Sequence, residues 1–412
     1  MNKTMNSLLL IVVMAFSFAC KKENIDTTEN IQITGYPIVG TNITKYYSNS
    51  GEISAPAKGE AYYGQNPMFP GNVPSYTDNG DGTITDNVTG LMWVKARGSL
   101  ISWSDAVAGA STNRTAGYSD WRMPTIKESY SLIQFSGVNG PDNTVITGYI
   151  PYINTDYFEF AYGPGGSTTT GERIIDCQDW SANKYVSTVM GNQTAIFGVN
   201  FADGRIKGYN ELIPSTGAKN TKYVRYVRGN TSYGINNFQD NGDSTITDLA
   251  TNLMWSKYDS KEGLSWPDAL AWVQTQNAAN YLGYNDWRLP DSKELESIVD
   301  YTRSPSTTNS PALDTTFFSC TSITNEAGQT DYPYFWTSTV LLDGGPTPSG
   351  IYISFGRAMG YMNGSWIDVH GAGSQKSDIM TGDPSDYPNG RGPQGDAIRI
   401  YNYIRCVRTV SM

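Results

Sequence analysis

Six aspartates fall at two repeated spacings, Asp78, Asp81 and Asp86, then Asp240, Asp243 and Asp248. Carboxylates a few residues apart around a glycine are the raw material of a Ca²⁺ loop. Setting Asp81-Gly82-Thr83-Ile84 at the centre of an EF-hand loop puts Thr77 at its first position and Val88 at its last. Both positions need carboxylates, so an EF-hand is excluded. A different Ca²⁺ site built on the three aspartates of either copy stays open. So does the alternative, that these side chains cap their own turns. A second group is Trp366, Asp368, His370, Tyr387 and Arg391, within one stretch that holds the only histidine of the chain. An aromatic ring with carboxylate and guanidinium groups can seat a sugar, the ring against its apolar face. Catalytic signatures are absent: no His-Glu-x-x-His, Gly-x-Ser-x-Gly, Cys-x-x-Cys or phosphate loop occurs. Two carboxylates could cleave a glycoside at the right separation. Otherwise the chain reads as a non-enzyme.

These residues are carried by a duplicated frame. Asp-Asn-Gly-Asp-x-Thr-Ile-Thr-Asp occurs at 78–86 and 240–248, each followed by Leu-Met-Trp ending at Trp93 and Trp255. Gly-Tyr-x-Asp-Trp-Arg-x-Pro follows at 117–124 and 283–290. The order gives a first domain over 74–230 and a second over 235–410. Residues shared by both copies read as scaffold, including the matched tryptophans 93/255, 103/266, 121/287 and 180/336. What one copy has alone is where function is sought. Copy 1 passes from Tyr209 to Tyr223 in a short connection, whereas copy 2 takes from Tyr361 to Ile398. Residues 363–396 are therefore an insertion, read as a long loop that is either a binding site or a structural wrap.

Local signals fill in each copy. Asn79-Gly80 and Asn241-Gly242 between β-branched residues predict hairpins. Ser244 opposite Gly82 implies that only the first glycine needs a positive φ. Ser102 and Ser265 are N-caps of a first helix, and Thr125-x-x-Glu128 and Asp291-x-x-Glu294 are capping boxes of a second. Short strands and long loops make up the rest.

The runs Thr77–Pro124 and Gln239–Pro290, with the Arg-Tyr-Val-Arg and Arg-Cys-Val-Arg ends at 225–228 and 405–408, resemble the Lcl C-terminal domain family, named for a bacterial collagen-like adhesin. The resemblance implies an α+β fold: two tandem C-type-lectin-like domains, each with two helices and short antiparallel strands with long loops. It also implies a surface role, and for the adhesin itself binding of sulfated glycosaminoglycans. That ligand needs a basic face, and this chain carries 29 Lys and Arg against 39 Asp and Glu, a net charge of −10. The paired tripeptides by which C-type lectins hold Ca²⁺ and sugar are missing; Pro141-Asp142-Asn143 and Tyr387-Pro388-Asn389 are partial echoes.

The N-terminus reads as a leader over 1–19. Its apolar run Leu8–Phe18 is too short for a spanning helix, and Ser17-Phe18-Ala19-Cys20 resembles a lipobox, which implies cleavage and lipidation at Cys20. That places the mature protein in the bacterial cell envelope, held by lipid alone, with the outer membrane and its exposed face as the expected location. Residues 20–73 form a tether and an extended segment expected to dock on the first domain. Three cysteines remain. Copy alignment sets Cys320 opposite Phe160 and Cys406 opposite Tyr226. The paired change predicts a Cys320–Cys406 disulfide and leaves Cys177 a buried thiol. The acidic balance excludes nucleic acid as a partner. The expected function is an adhesin or glycan-binding module, a monomer whose partner is a glycan, a matrix protein or an envelope protein. A structural envelope protein and a carbohydrate-active enzyme are the alternatives.

Overall fold

A computed structural model describes residues 35–140, 145–163, 173–343 and 347–410. The leader, Cys20, the tether before residue 35 and the Pro141-Asp142-Asn143 echo lie outside these residues. Repeat 1 contains β1 (Tyr76–Asp78), β2 (Thr83–Asp86), β3 (Leu91–Val94), α1 (Trp103–Thr112), α2 (Ile126–Ser131), β4 (Asp179–Val189), β5 (Gln193–Asn200), β6 (Arg205–Asn210) and β7 (Val227–Gly229). Repeat 2 contains β8 (Phe238–Asp240), β9 (Thr245–Asp248), β10 (Leu253–Ser256), α3 (Trp266–Ala278), α4 (Ser292–Ser297), β11 (Tyr334–Leu341), β12 (Ser349–Ser354), β13 (Met359–Met362), β14 (Ser365–Asp368), β15 (Gln375–Ile379) and β16 (Val407–Thr409). The described residues form one compact unit. Among the described residues no helix is long and apolar enough to cross a membrane.

The hairpin signature makes the same object twice. In repeat 1 the order is β7-β3-β2-β1, and in repeat 2 it is β8-β9-β10-β16. The Thr-Ile-Thr strand suits a pleated surface and puts Ile84 and Ile246 inward, both fully buried. Trp93 and Trp255 sit opposite them across the ladder, also fully buried. The closing strand carries an arginine that works as a staple. Arg225 donates to the carbonyls of Val94, Lys95 and Glu159, and Arg405 to those of Ser256, Lys257 and Ser319. The predicted caps are present. Ser102 and Ser265 accept from Asp105 N and Asp268 N, and both capping boxes close.

One sheet unites the halves. Its order is β11-β12-β15-β6-β5-β4, so three strands of each repeat meet edge to edge where Gln375 pairs with Ile206. The join removes two exposed edges that would otherwise invite pairing with another chain. Helices α2 and α4 pack nearby, and the contact between them is reciprocal. Lys127 donates to Ser297 O at 2.6 Å, and Lys293 donates to Ser131 O at 2.8 Å. These are equivalent residues exchanged between the repeats, which is the pattern of an isologous interface.

Four expectations need correction. The fold is not two C-type-lectin-like α+β domains: 31% of it is strand and 13% helical, in antiparallel sheets that include a half-barrel. The capping signals were sound, but α2 and α4 are 6 residues each, and the aromatic and β-branched residues after them run into the shared sheet. Cys320 and Cys406 are free thiols. They lie in different cores, Cys406 beside Trp266 and Cys320 against the main cluster, and Arg405 next to Cys406 stacks over Phe318 and Phe335. The loss of two aromatics in copy 2 therefore reflects two separate packing changes. Cys177 is a buried free thiol. Ser244 has a φ of 71°, so the second turn position is left-handed in both copies. Asp243 holds it there, its carboxylate accepting from Thr245 N at 3.0 Å.

The last correction concerns the N-terminal segment, which packs mainly on repeat 2. Ile43 and Tyr47 are buried in that repeat's own cluster with Trp266 and Trp336. Tyr36 N bonds Ala250 O at 2.7 Å and Gly59 N bonds Gln274 at 2.8 Å. Repeat 1 is touched chiefly where Phe135 N meets Thr41 O and Asn42 meets Gln134.

Candidate functional site

The six hairpin aspartates are committed to their own turns. Asp81 accepts from Thr83 N and Oγ1 at 3.1 and 2.6 Å, as Asp243 does from Thr245. Asp78 and Asp240 accept from Gly80 N and Gly242 N, and pair with Lys95 and Lys257. Asp86 and Asp248 are fully buried beneath the next turn, accepting from Val88 N and Ala250 N. Among the described residues no three His, Cys, Asp or Glu side chains are grouped to hold a metal.

The insertion is built rather than irregular. It forms the β13–β14 hairpin and supplies β15, the strand through which the repeats join. Asp368 accepts from Tyr185 Oη at 2.8 Å and from Gly371 N, and burial pushes its carboxyl up to about 7. Its carbonyl takes Met190 N, and that of His370 takes Gly208 N, both from repeat 1. His370 is buried, 2.9 Å from Asp396, and burial together with the nearby Lys376 charge lowers its imidazole to about 4. Trp366 lies half-buried edge-on to Tyr361. Tyr387 and Arg391 form a cation–π pair at 5.6 Å further along. The Asp368 carboxylate thus faces repeat 1 and the His370 imidazole meets Asp396, whose backbone pairs with Arg391, while Tyr387 and Arg391 lie toward the surface.

A cleft of about 600 Å³ lies elsewhere, between the repeats. One wall is the start of α2: Arg122, Thr125, Ile126, Lys127 and Glu128, with Asn183 from β4. The other is Tyr301, Thr302, Asp300 and Asp314 of repeat 2, and the linker Thr231–Asn236 with Phe238 closes the floor. The capping box places this wall. Glu128 accepts from Thr125 N at 2.8 Å and clamps Arg122 through two bonds of 2.6 Å, a bidentate geometry that fixes the guanidinium plane. Asn183 Oδ1 accepts from Ile126 N at 2.9 Å. Lys127 donates to Gly234 O, Asn236 Oδ1 and Ser297 O, which accounts for all three ammonium protons. Burial lowers its proton affinity.

Repeat 2 has the same wall: Arg288, Asp291, Ser292, Lys293 and Glu294, with Thr339 for Asn183. There Thr339 Oγ1 accepts from Ser292 N at 3.0 Å. But this wall is covered. Asn66 accepts from Thr339 Oγ1 at 3.1 Å and from Thr41. Phe69 lies over the Arg288 guanidinium at 5.5 Å, and Lys293 donates to Gly40 O. The side chain of Arg288 is 9% exposed and that of Arg122 is 30% exposed. Lys293 and Thr339 are buried, whereas Lys127 and Asn183 are partly exposed. The cleft is thus the open copy of a groove that the chain itself fills in repeat 2.

Comparison with known proteins places the frame. The profile of the Lcl C-terminal domain family matches residues 82–228 and 244–367, more than half of the chain. The chain belongs to the Lcl C-terminal domain family. The two segments make it a tandem repeat of that domain. No curated protein and no solved structure matches the chain. In this Lcl C-terminal domain protein the parts outside the match include residues 35–73, which fill the repeat-2 groove, the linker 229–243, which closes the cleft floor, and residues from 368 onward, which include β15.

Sequence reasoning passed over the cleft because its residues belong to the shared motifs. Arg122 and Lys127-Glu128 recur as Arg288 and Lys293-Glu294, so they read as scaffold. One signal was present. Residues 35–73 have no copy before repeat 2, so the surface they cover in one repeat is met in the other by different residues or left open.

Proposed function

We propose that this protein is an adhesin-like binding module of the bacterial cell envelope, seating its ligand in the repeat-1 cleft without chemical turnover. The observation that carries the reading is the asymmetry of the groove, closed by the chain's own segment in repeat 2 and open in repeat 1. A concave site with a few fixed polar groups among apolar ones suits recognition. Arg122, Glu128, Asn183 and Tyr301 supply those groups. Membership of an adhesin-named family and a leader ending in Ala19-Cys20 agree with a role at the surface.

The test is retention of the mature chain on an immobilised panel of glycans and matrix proteins, with Thr231→Trp as the blocked form. Thr231 lines the cleft and is exposed, so a bulky ring there occupies the cleft and spares the core. Retention of the wild type that Thr231→Trp abolishes is the expected result. Equal retention of both proteins would place the site elsewhere, and no retention of either would overturn the adhesin reading.

A further inference from the structure

The segment seated in repeat 2 shows what the groove accepts. It is one uncharged 3-10 turn, Gln65-Asn66-Pro67-Met68-Phe69, closed by Met68 N to Gln65 O and Phe69 N to Asn66 O. Its Asn66 amide oxygen takes the Thr339 hydroxyl, and its Phe69 ring covers the guanidinium that Glu294 holds flat. Repeat 1 keeps both receptors. With its Oδ1 taken by Ile126 N, Asn183 retains two N–H donors for an amide oxygen. Arg122 is held by Glu128 as Arg288 is by Glu294, and its face is more exposed. Cation–π stacking of an aromatic ring there is worth about 0.5–1 kcal/mol at an exposed site and more when desolvated.

Part of the covering is already replaced in repeat 1. Lys127 reaches Gly234 O as Lys293 reaches Gly40 O, so the linker stands where Gly40 stands. Among the described residues nothing stands where Asn66–Phe69 would be. A second copy is a poor source of that segment, because its own Gln65 and Asn66 are buried and Gln65 is bonded twice to the Tyr47 backbone. Of the charges that border the cleft, Arg122 pairs with Glu128 and Asp300 with Arg303, and Lys127 gives its three donors to neutral oxygens, which favours an uncharged occupant.

We propose that the repeat-1 cleft binds a turn-forming segment of a partner protein carrying Asn-Pro-x-aromatic, seated as the Asn66–Phe69 turn is seated in repeat 2. This rests on the reading of the cleft as the binding site and names its ligand class. The probe is a fluorescent peptide with the sequence of residues 63–70, titrated into the full mature chain. Saturable 1:1 binding is expected. Peptides carrying Asn66→Ala or Phe69→Ala should bind about tenfold more weakly, the ratio that about 1.4 kcal/mol represents. Thr231→Trp protein with an unchanged melting temperature should not bind. Binding that survives Thr231→Trp, or that ignores both peptide changes, overturns the proposal. No peptide binding, alongside Thr231→Trp-sensitive retention on a glycan, overturns the peptide and leaves the cleft as the site. No binding in either assay removes both.

Discussion

Glu296 offers a direct measure of how dry the repeat interface is. It is 3% exposed at the end of α4, and burial pushes its carboxyl up to about 7, with the Lys127 charge opposing. Geometry favours the protonated form. The Tyr301 hydroxyl has one proton and two acceptors within reach, Glu296 Oε1 at 3.1 Å and Gly373 O at 3.2 Å. A protonated Glu296 can donate to that hydroxyl and free its proton for Gly373. Lys127 does not compete for the carboxylate, because its protons go to three other oxygens.

The sign follows from linkage. The folded group binds its proton more tightly than the unfolded one, ordinarily near 4.5. The stability it confers is therefore complete below about pH 4.5 and is lost as pH rises through about 7. At about 1.4 kcal/mol per tenfold change in proton affinity, the loss by pH 8 is on the order of 3 kcal/mol. Glu296→Gln keeps the shape and removes the titration. It should match the wild type at pH 4.5 to 5 and exceed it by on the order of 3 kcal/mol at pH 8. With about 2 cal/mol/K of unfolding entropy per residue over the compact unit, that is about 4 °C in Tm. Calorimetry of both proteins from pH 5 to 8 reads the difference. A gap that does not widen with pH would refute the reasoning. So would a less stable variant at pH 8, which would mean that Lys127 holds the carboxylate charged.

Two further outcomes are expected. Alkylation in guanidinium without reductant should label Cys177, Cys320 and Cys406 alike, whereas a Cys320–Cys406 bridged peptide in the mass map would restore the disulfide excluded here. Arg405→Lys should destabilise the protein by about 3 kcal/mol, because one ammonium cannot span the Ser256, Lys257 and Ser319 carbonyls and a buried acceptor left unmet costs about 1–3 kcal/mol; urea denaturation checks it, and a change under 1 kcal/mol would contradict the staple.

The repeat, the hairpins and all four helix caps were legible because each depends on residues within a few positions of one another. The Asn-Gly turn, Ser102 and the Thr125–Glu128 box act locally. What was not legible depends on contacts made hundreds of residues apart. Strand β15 looked like loop because copy 1 has no counterpart to it; it pairs along its length with β12 of its own repeat and meets β6 of the other at Gln375–Ile206. Asp368 and His370 looked like ligands because polar residues in an insertion normally face water, and here Tyr185 of repeat 1 donates to the Asp368 carboxylate and Asp396 holds the His370 ring. The Cys pair was inferred from covariation between two copies, which cannot tell one contact from two independent ones.

The cleft was hidden for a further reason, set by symmetry. Reciprocal Lys127–Ser297 and Lys293–Ser131 bonds make the repeats an isologous pair, and such a pair presents two equal grooves. A single chain has one segment ahead of its first repeat, and here that segment lies on the second. The stretch ahead of the second repeat is only the linker, whose Gly234 and Asn236 already meet Lys127. One groove must then be filled and the other left open, although the wall residues correspond. Comparing what each copy contains marks Arg122 and Lys127 as scaffold. Comparing what covers each copy marks them as lining the proposed site, and Arg122 with 30% of its side chain exposed against 9% for Arg288 is the difference that separates the two.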